Sequence, residues 1–315
     1  MTDITSLAFL TAVLAAAIPA GTAILYACLG ELLCERAGVL NLGVEGMMLM
    51  GALGGFAVTF WTGNVWLGAL AALALGGLLA SIHALLVVGL HANQVVSGLA
   101  LTLFGAGLSS FLGQDLVGQP APTAFRDWAI PGLSAIPSVG TILFRQDALV
   151  YLSYLLVPAM WFFIYRTRPG LHLRAIGEKP EAADAMGIDV ARLRAAYVIA
   201  GGALAGLGGA AISVGTNPGW TDNMTAGRGW IAVALVIFAG WNPVRAAFGA
   251  YLFGGVEAGQ FRLQGAGVGI SAFFLNMLPY LFTIAVLILA TRESTRRHIG
   301  APDALGRPYL REERN

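Results

Sequence analysis

The chain has 315 residues, of which 57% are hydrophobic and only 11% are charged, and its formal net charge is +1. An average soluble domain carries roughly a quarter of charged residues, so this composition excludes a single soluble core. A net charge near zero, without a basic stripe, offers nucleic acid no electrostatic attraction, and we predict no nucleic-acid partner.

Apolar stretches of about 20 residues recur along the chain, the length that a helix rising 1.5 Å per residue needs to cross a hydrocarbon layer about 30 Å thick. The sequence therefore predicts an all-α integral membrane protein with about nine transmembrane helices, within a range of eight to ten, surrounded by membrane lipid. The predicted spans are 7–29, 38–60, 66–90, 94–114, 148–165, 193–214, 229–242, 244–261 and 271–291. Three glycine pairs have the small-xxx-small spacing of helix contacts in lipid, namely Gly51/Gly55, Gly202/Gly206 and Gly255/Gly259.

Basic residues concentrate in two stretches, which fixes the predicted orientation because loops rich in Lys and Arg stay in the cytoplasm. One stretch carries Arg166, Arg168, Arg174, Lys179, Arg192 and Arg194, and the other carries Arg292, Arg296, Arg297, Arg307, Arg311 and Arg314. The prediction is a transmembrane domain over 1–291 with the N-terminus outside, an extracytoplasmic loop at 115–147, a cytoplasmic loop at 166–192 and a basic cytoplasmic tail at 292–315.

Two segments are predicted to be broken or re-entrant. The turn Trp241-Asn242-Pro243 divides residues 229–261 into two pieces that are short for a full crossing, and a re-entrant hairpin there would keep the same orientation of both termini. Segment 38–46 has a similar glycine-rich, polar character. Irregular backbone at membrane depth is tolerated only where protein or a water-filled cavity satisfies its polar groups, so both segments point to a transport pathway.

Loop 115–147 contains four prolines and two aliphatic patches, at 130–133 and 142–144. A loop of this length is usually functional or disordered. A docking surface for an external partner and plain packing over the helix ends are equally acceptable interpretations.

The sequence lacks the nucleotide-binding and metal-binding motifs that are common in soluble enzymes. There is no G-x-x-x-x-G-K-[ST] phosphate loop, so ATP used by this protein is hydrolysed on another chain, and the four histidines lack metal-binding spacing. The ionisable residues predicted inside the membrane are mainly Glu45, His83 and Glu257. Since no basic partner is obvious for them, a proton-driven carrier is disfavoured. For Glu45, a structural role as acceptor of backbone N–H groups competes evenly with a role in the pathway.

A short helix is predicted in the cytoplasmic loop, because Pro180 suits a first helical position and Gly187 suits a C-terminal stop. Ala182, Ala183 and Met186 would give this helix a small apolar face. Such a helix suits insertion into a groove of a partner, and a helix lying on the membrane surface is the alternative.

These residues resemble a known family. Residues Glu181-Ala182-Ala183-x-x-x-Gly187 are similar to the E-A-A-x-x-x-G coupling loop of bacterial ABC importer permeases. The surrounding R-A-x-G-E-x-P-x-A-A-D-A-x-G-I string resembles the branch that handles branched-chain amino acids, ribose-type sugars and nucleosides. Further strings at 30–48, 93–98 and 227–238, with 241–243, resemble the smaller permease of nucleoside importers that work with a basic-membrane-protein-type lipoprotein.

This resemblance implies the membrane-spanning permease of an ATP-driven importer in the bacterial cytoplasmic (inner) membrane, with a nucleoside as the expected solute and a simple sugar or riboflavin as the alternative. It implies three partners: a second homologous permease, a cytoplasmic ATPase with two nucleotide-binding halves, and an extracytoplasmic solute-binding lipoprotein. No cofactor is expected on this chain, since ATP and magnesium would bind the ATPase. An ATP-independent secondary transporter or channel is the runner-up, and a membrane-embedded enzyme is third.

Two sets of site residues follow from the broken segments and the resemblance. For contact with the ATPase the candidates are Glu181, Ala182, Ala183, Met186 and Gly187. For the solute pathway the candidates are Asn41, Glu45, Asn93, Gln94, Ser97 and Asn223, with Trp220 and Trp230 as stacking surfaces for a base.

Overall fold

A computed structural model describes residues 6–265, 271–290 and 300–309, and most of these residues are helical. The helices are α1 Leu7–Arg36, α2 Val44–Thr62, α3 Val65–Ala84, α4 Gln94–Gly113, α5 Val139–Leu143, α6 Ala148–Arg166, α7 Arg168–Glu178, α8 Pro180–Ala185, α9 Val190–Ala210, α10 Arg228–Phe238, α11 Pro243–Gly265 and α12 Ala272–Ala290. Two short strands, β1 Trp128–Ala129 and β2 Arg145–Gln146, pair antiparallel in the loop before α6. π-helical turns extend α3 over Leu85–Gly89 and α9 over Ala211–Thr216.

Helix α1 is longer than the predicted span 7–29. The Ser6 hydroxyl caps its first turn by accepting the Phe9 N–H at 3.2 Å, and it ends where Gly38 adopts a φ of +84°. Its last turns contain Glu31 and Glu35, which hydropathy places outside the membrane but which the fold buries. Residues 37–43 then form a non-helical turn, so α2 begins six residues later than predicted.

Helix α9 lies at the centre of the bundle and packs against α1, α2 and α3. Glycines make this close approach possible, because a Cβ atom at Gly206 would overlap the backbone of α3 and one at Gly51 would overlap the backbone of Gly206. The small-xxx-small prediction therefore fits the first two glycine pairs. The third pair differs, since a Cβ atom at Gly259 would meet no atom within 4 Å.

All nine predicted spans contain a helix. Among the residues that the structure describes, six helices are long and apolar enough to cross a membrane, namely α1, α2, α3, α4, α6 and α9 with their short extensions. Helix α10, with 11 residues, is about 16 Å long, or about half of a hydrocarbon layer. Helix α11 has 23 residues but carries Arg245, Glu257 and Arg262. The number of spans and the direction of insertion stay predictions.

The packing brings together the segments that the predicted topology puts on the same side. At the predicted outer end, the Phe125 N–H donates to the Val214 carbonyl at 2.8 Å, and the Gln146 side chain donates to the Ala15 carbonyl. At the opposite end, Arg36 donates to the Trp241 carbonyl at 3.2 Å. The predicted parity and the fold are therefore mutually consistent.

Residues 300–309, predicted as part of a basic tail, pack against the helices. The Ala304 N–H donates to the Gly177 carbonyl at 2.9 Å, the Gly306 N–H donates to the Gly38 carbonyl at 3.3 Å, and Pro302 and Ala304 are buried. This C-terminal segment thus joins α7 to the turn after α1. The rest of the predicted tail, 292–299 and 310–315, lies outside the described residues.

Candidate functional site

Glu45, in the first turn of α2, holds the start of α10. Its Oε1 accepts the Thr225 hydroxyl at 2.6 Å and the Gly227 N–H at 2.8 Å, and its Oε2 accepts the Gly229 N–H at 2.6 Å. A carboxylate is well placed here, because the first N–H groups of a helix have no partner within the helix and carry a partial positive charge. The structural interpretation of Glu45 as an acceptor of backbone N–H groups fits this geometry, although the donors come from a distant turn.

The same turn is held from its other side by an ion pair. The Arg228 guanidinium binds both oxygens of the Glu257 carboxylate on α11, and its Nη1 also donates to the carbonyls of Met224 and Thr225 at 3.1 Å. The sequence offered no obvious basic partner for Glu257, and that interpretation was wrong. Arg228 lies 29 residues away in the sequence and begins the short helix α10.

An open pocket of about 720 Å³ lies beside this ion pair, between α1, α9, α10 and α11. Its polar lining comprises Asp127, Asp147, Thr216, Asn217, Arg228, Glu257 and Arg262, and its aromatic lining comprises Phe125 and Phe261. Asp147 also caps α6 by accepting the N–H groups of Leu149 and Val150, and burial raises the pKa of its carboxyl. By the predicted topology this pocket faces the extracytoplasmic side.

Buried side chains satisfy the backbone of the turn at 37–43. Gln94 accepts the Leu40 N–H at 2.7 Å, and the His83 ring contacts both the Leu40 carbonyl at 3.1 Å and the Ser97 hydroxyl at 2.9 Å. The Asn41 side chain accepts the Gly43 N–H at 3.0 Å. Non-helical backbone inside a membrane protein needs such partners. Of the predicted pathway residues, Asn41, Gln94 and Ser97 thus meet around one turn, all of them buried.

The other predicted pathway residues lie apart from that turn. Asn93 is exposed and caps α4 by accepting the Val96 N–H. Asn223 is exposed, with a φ of +55°, in the turn that Glu45 holds. Trp220 is buried against Gly113, so it offers no free stacking surface in this conformation, whereas Trp230 is 38% exposed. The pathway roles of all eight residues stay predictions.

Helix α8 has the predicted bounds, beginning at Pro180 and stopping before Gly187, whose φ is +82°. The predicted apolar face is divided, however. Ala183 is only 4% exposed and packs within the chain, whereas Ala182 is exposed and Met186 is 82% exposed. Of the residues predicted to contact an ATPase, Glu181, Ala182, Met186 and Gly187 are exposed, and the inclusion of Ala183 in the exposed face was wrong.

Sequence reasoning did not identify Arg228, Asp127 or Asp147 as site residues. A charged residue immediately before an apolar run, as at Arg228, is a usable signal of a helix that begins inside the protein. The two aspartates belong to loop 115–147, and nothing local distinguishes them from ordinary surface residues.

Comparison with known proteins gives one family. The profile described as "Branched-chain amino acid transport system / permease component" matches residues 9–291. The putative glucose ABC transporter permease protein TsgC13 of Haloferax volcanii is 46% identical over 97% of this chain and 99% of its own length. The nucleoside ABC transporter permease protein NupC of Lactococcus lactis is 34% identical, over 93% of this chain and 94% of its own. The guanosine ABC transporter permease protein NupQ of Bacillus subtilis is 33% identical, over 91% and 92%. No solved structure matches significantly.

Proposed function

Because the chain belongs to the family of permease components of branched-chain amino acid transport systems, whose relatives here are ABC transporter permeases, we propose that it carries a neutral, hydroxyl-bearing solute inward. The protein is a multi-pass protein of the cytoplasmic membrane. A nucleoside is the first proposed solute. A simple sugar is the second, since one relative named as a putative glucose permease is 46% identical to this chain.

The pocket beside Arg228 and Glu257 is the observation that carries this proposal. Its volume of about 720 Å³ falls in the range of small-molecule sites, roughly 300–1,000 Å³. Carboxylates and an amide can accept hydrogen bonds from the hydroxyls of a ribose or a hexose, and Phe125 and Phe261 offer apolar surface to a base. Arg228 already has a carboxylate partner in Glu257, and the lining has three acidic side chains against two basic ones, which favours a neutral solute over an anion.

The opposite end of the molecule supports ATP-driven coupling. Exposed Met186 and Ala182 suit insertion into an apolar groove, and the C-terminal segment ties the helices behind α8 to the turn at 37–43. We infer that a partner ATPase receives α8 and that its movement reaches the turn held by His83 and Gln94. A second permease and an extracytoplasmic binding protein, docked on the exposed apolar residues of loop 115–147, complete the proposed importer.

Uptake into proteoliposomes tests the proposal. The complex that this chain forms in its native membrane would be reconstituted with the binding protein outside, and with either ATP and magnesium or ADP and magnesium inside. We expect labelled nucleoside to accumulate only with ATP, and excess unlabelled glucose to leave that uptake unchanged. Uptake that proceeds equally with ADP would overturn the importer mechanism and favour a secondary carrier. Inhibition of the labelled nucleoside's uptake by unlabelled glucose would assign a simple sugar as the solute instead.

A pair of neighbouring substitutions tests the coupling helix. Ala182→Arg puts a hydrated cation on the exposed face, so we expect the permease to remain in the membrane while the ATPase no longer co-purifies and uptake is lost. Ala183→Arg instead overpacks a buried site and should lower the amount of permease itself. His172→Arg, at an exposed position of α7, is the matched control. Wild-type co-purification of the ATPase with the Ala182→Arg variant would contradict the docking of α8.

A further inference from the structure

Two buried carboxylates in α1 have no role in the mechanism described so far. Glu31 and Glu35 lie four residues apart, so their side chains share one face of the helix, and each is only 1% exposed. They lie near the end of α1, between the turn at 37–43 and the turn between α10 and α11.

Each carboxylate has one bound oxygen and one unbound oxygen. The Asn41 N–H donates to Oε1 of Glu31 at 3.0 Å, and the Trp241 indole N–H donates to Oε2 of Glu35 at 2.6 Å. The remaining atoms, Oε2 of Glu31 and Oε1 of Glu35, are buried without a protein donor. Because residues four apart on a helix are neighbours on its surface, the two side chains lie side by side along α1.

No cation of the described chain compensates these carboxylates. The ion pairs found among residues 6–265, 271–290 and 300–309 are Arg192–Asp189 and Arg228–Glu257. Arg36, the nearest cation along α1, gives its hydrogen bonds to the Trp241 carbonyl and the Tyr165 hydroxyl.

The titratable groups that face the pair from α1 itself are the buried thiols of Cys28 and Cys34. The turn at 37–43 presents the backbone N–H of Asn41, and the turn between α10 and α11 presents the Trp241 indole. Helix α9 faces Cys34 with the backbone carbonyls of Tyr197 and Val198. None of these groups is a cation, and Arg194, which lies against Gly38 of the turn, donates instead to the carbonyls of Ile176 and Arg307. Two ionised carboxylates without a cationic partner would repel each other in a medium that screens them poorly.

A single proton removes this conflict. We propose that Glu31 and Glu35 form a proton-binding site, in which Oε2 of Glu31 and Oε1 of Glu35 share one proton. The acid of one residue donates to the carboxylate of the other, both unbound oxygens gain a partner, and the pair carries one negative charge instead of two. The remaining charge is stabilised by the Trp241 and Asn41 donors. The proton thereby fixes the end of α1 to both non-helical turns.

Infrared spectroscopy of the purified complex in lipid tests the site directly. With all glutamates labelled with ¹³C, we expect a protonated-carboxyl C=O band at neutral pH that moves on labelling and on exchange into D₂O. Asp147 does not respond to the glutamate label, so it cannot supply this band. The band should disappear in the Glu31→Gln variant and persist in the Glu181→Gln variant, whose substituted side chain is exposed.

The Glu31→Gln variant should also lose less thermal stability than the wild type as the pH is raised from neutral to alkaline, because Gln supplies a permanent donor to Glu35. A wild-type spectrum with no label-sensitive acid band at neutral pH would overturn the proposal without needing any variant. A band that survives both Glu31→Gln and Glu35→Gln would overturn it as well, since the proton would then belong to another glutamate.

Discussion

Replacing Glu45 separates its two interpretations, because the structure gives its carboxylate three hydrogen-bond donors in a buried position. Glu45→Ala would leave the N–H groups of Gly227 and Gly229 without an acceptor, whereas the Thr225 hydroxyl can rotate to another. Each buried unsatisfied N–H costs about 1–3 kcal/mol, so the loss is about 2–6 kcal/mol. That is a large part of the roughly 5–15 kcal/mol that stabilises a typical domain.

Glu45→Gln is not a harmless substitution at this site. The amide has one oxygen, so its NH₂ group must point at donors that the carboxylate accepted, and we expect a loss of about 1–3 kcal/mol. The assay is thermal unfolding of the detergent-solubilised permease, monitored by size-exclusion chromatography after heating, with uptake measured in parallel. We expect stability to fall in the order wild type, Glu45→Gln, Glu45→Ala.

Glu181→Gln makes the same chemical change at an exposed carboxylate and should leave thermal stability at the wild-type value. The reasoning would be refuted if Glu45→Gln unfolded like the wild type while the apparent KM for solute changed. That result would show that Glu45 meets the solute and does not serve mainly to hold the start of α10.

Three further outcomes follow from the packing and the charges. Gly209→Ala should lower thermal stability by about 1–3 kcal/mol, because a methyl group there overlaps the Met48 carbonyl, whereas Gly259→Ala should be neutral or slightly stabilising. Arg228→Lys should cost about 1–3 kcal/mol and slow uptake, since an ammonium cannot bind Glu257 with two parallel bonds and also reach the carbonyls before it. Burial raises the pKa of the Asp147 carboxyl in the folded protein. The contribution of this carboxyl to the stability of the protein is therefore greatest below the ordinary Asp pKa and is lost as the pH rises through the raised pKa. Asp147→Asn should therefore unfold at a higher temperature than the wild type at neutral pH and at the same temperature in acid, as followed by thermal melts at both pH values.

Local signals in the sequence predicted the features that depend on neighbouring residues. Pro180 and Gly187 bound helix α8 because one fixes φ and the other adopts a positive φ, and both effects act within a single turn. The nine apolar stretches likewise correspond to nine helices, because hydrophobicity and length are properties of the segment itself.

Features that depend on distant partners were not visible in the sequence. Hydropathy ended the first helix before Glu31 and Glu35, since a carboxylate is unfavourable in an apolar layer. The contact that accommodates Glu35 comes from Trp241, which lies 206 residues away. Burial of Ala183 and of Trp220 is also decided by packing between elements, so composition alone could not separate them from their exposed neighbours Ala182 and Asp222.

The packing of the C-terminal segment has a consequence for biogenesis. Ala304 and Gly306 follow α12 in the sequence, yet their N–H groups bind the carbonyls of Gly177 and Gly38, which are synthesised long before them. These two contacts can therefore form only after α12 has been synthesised. The surface behind α8 is completed late in synthesis, after all the described helices have been made.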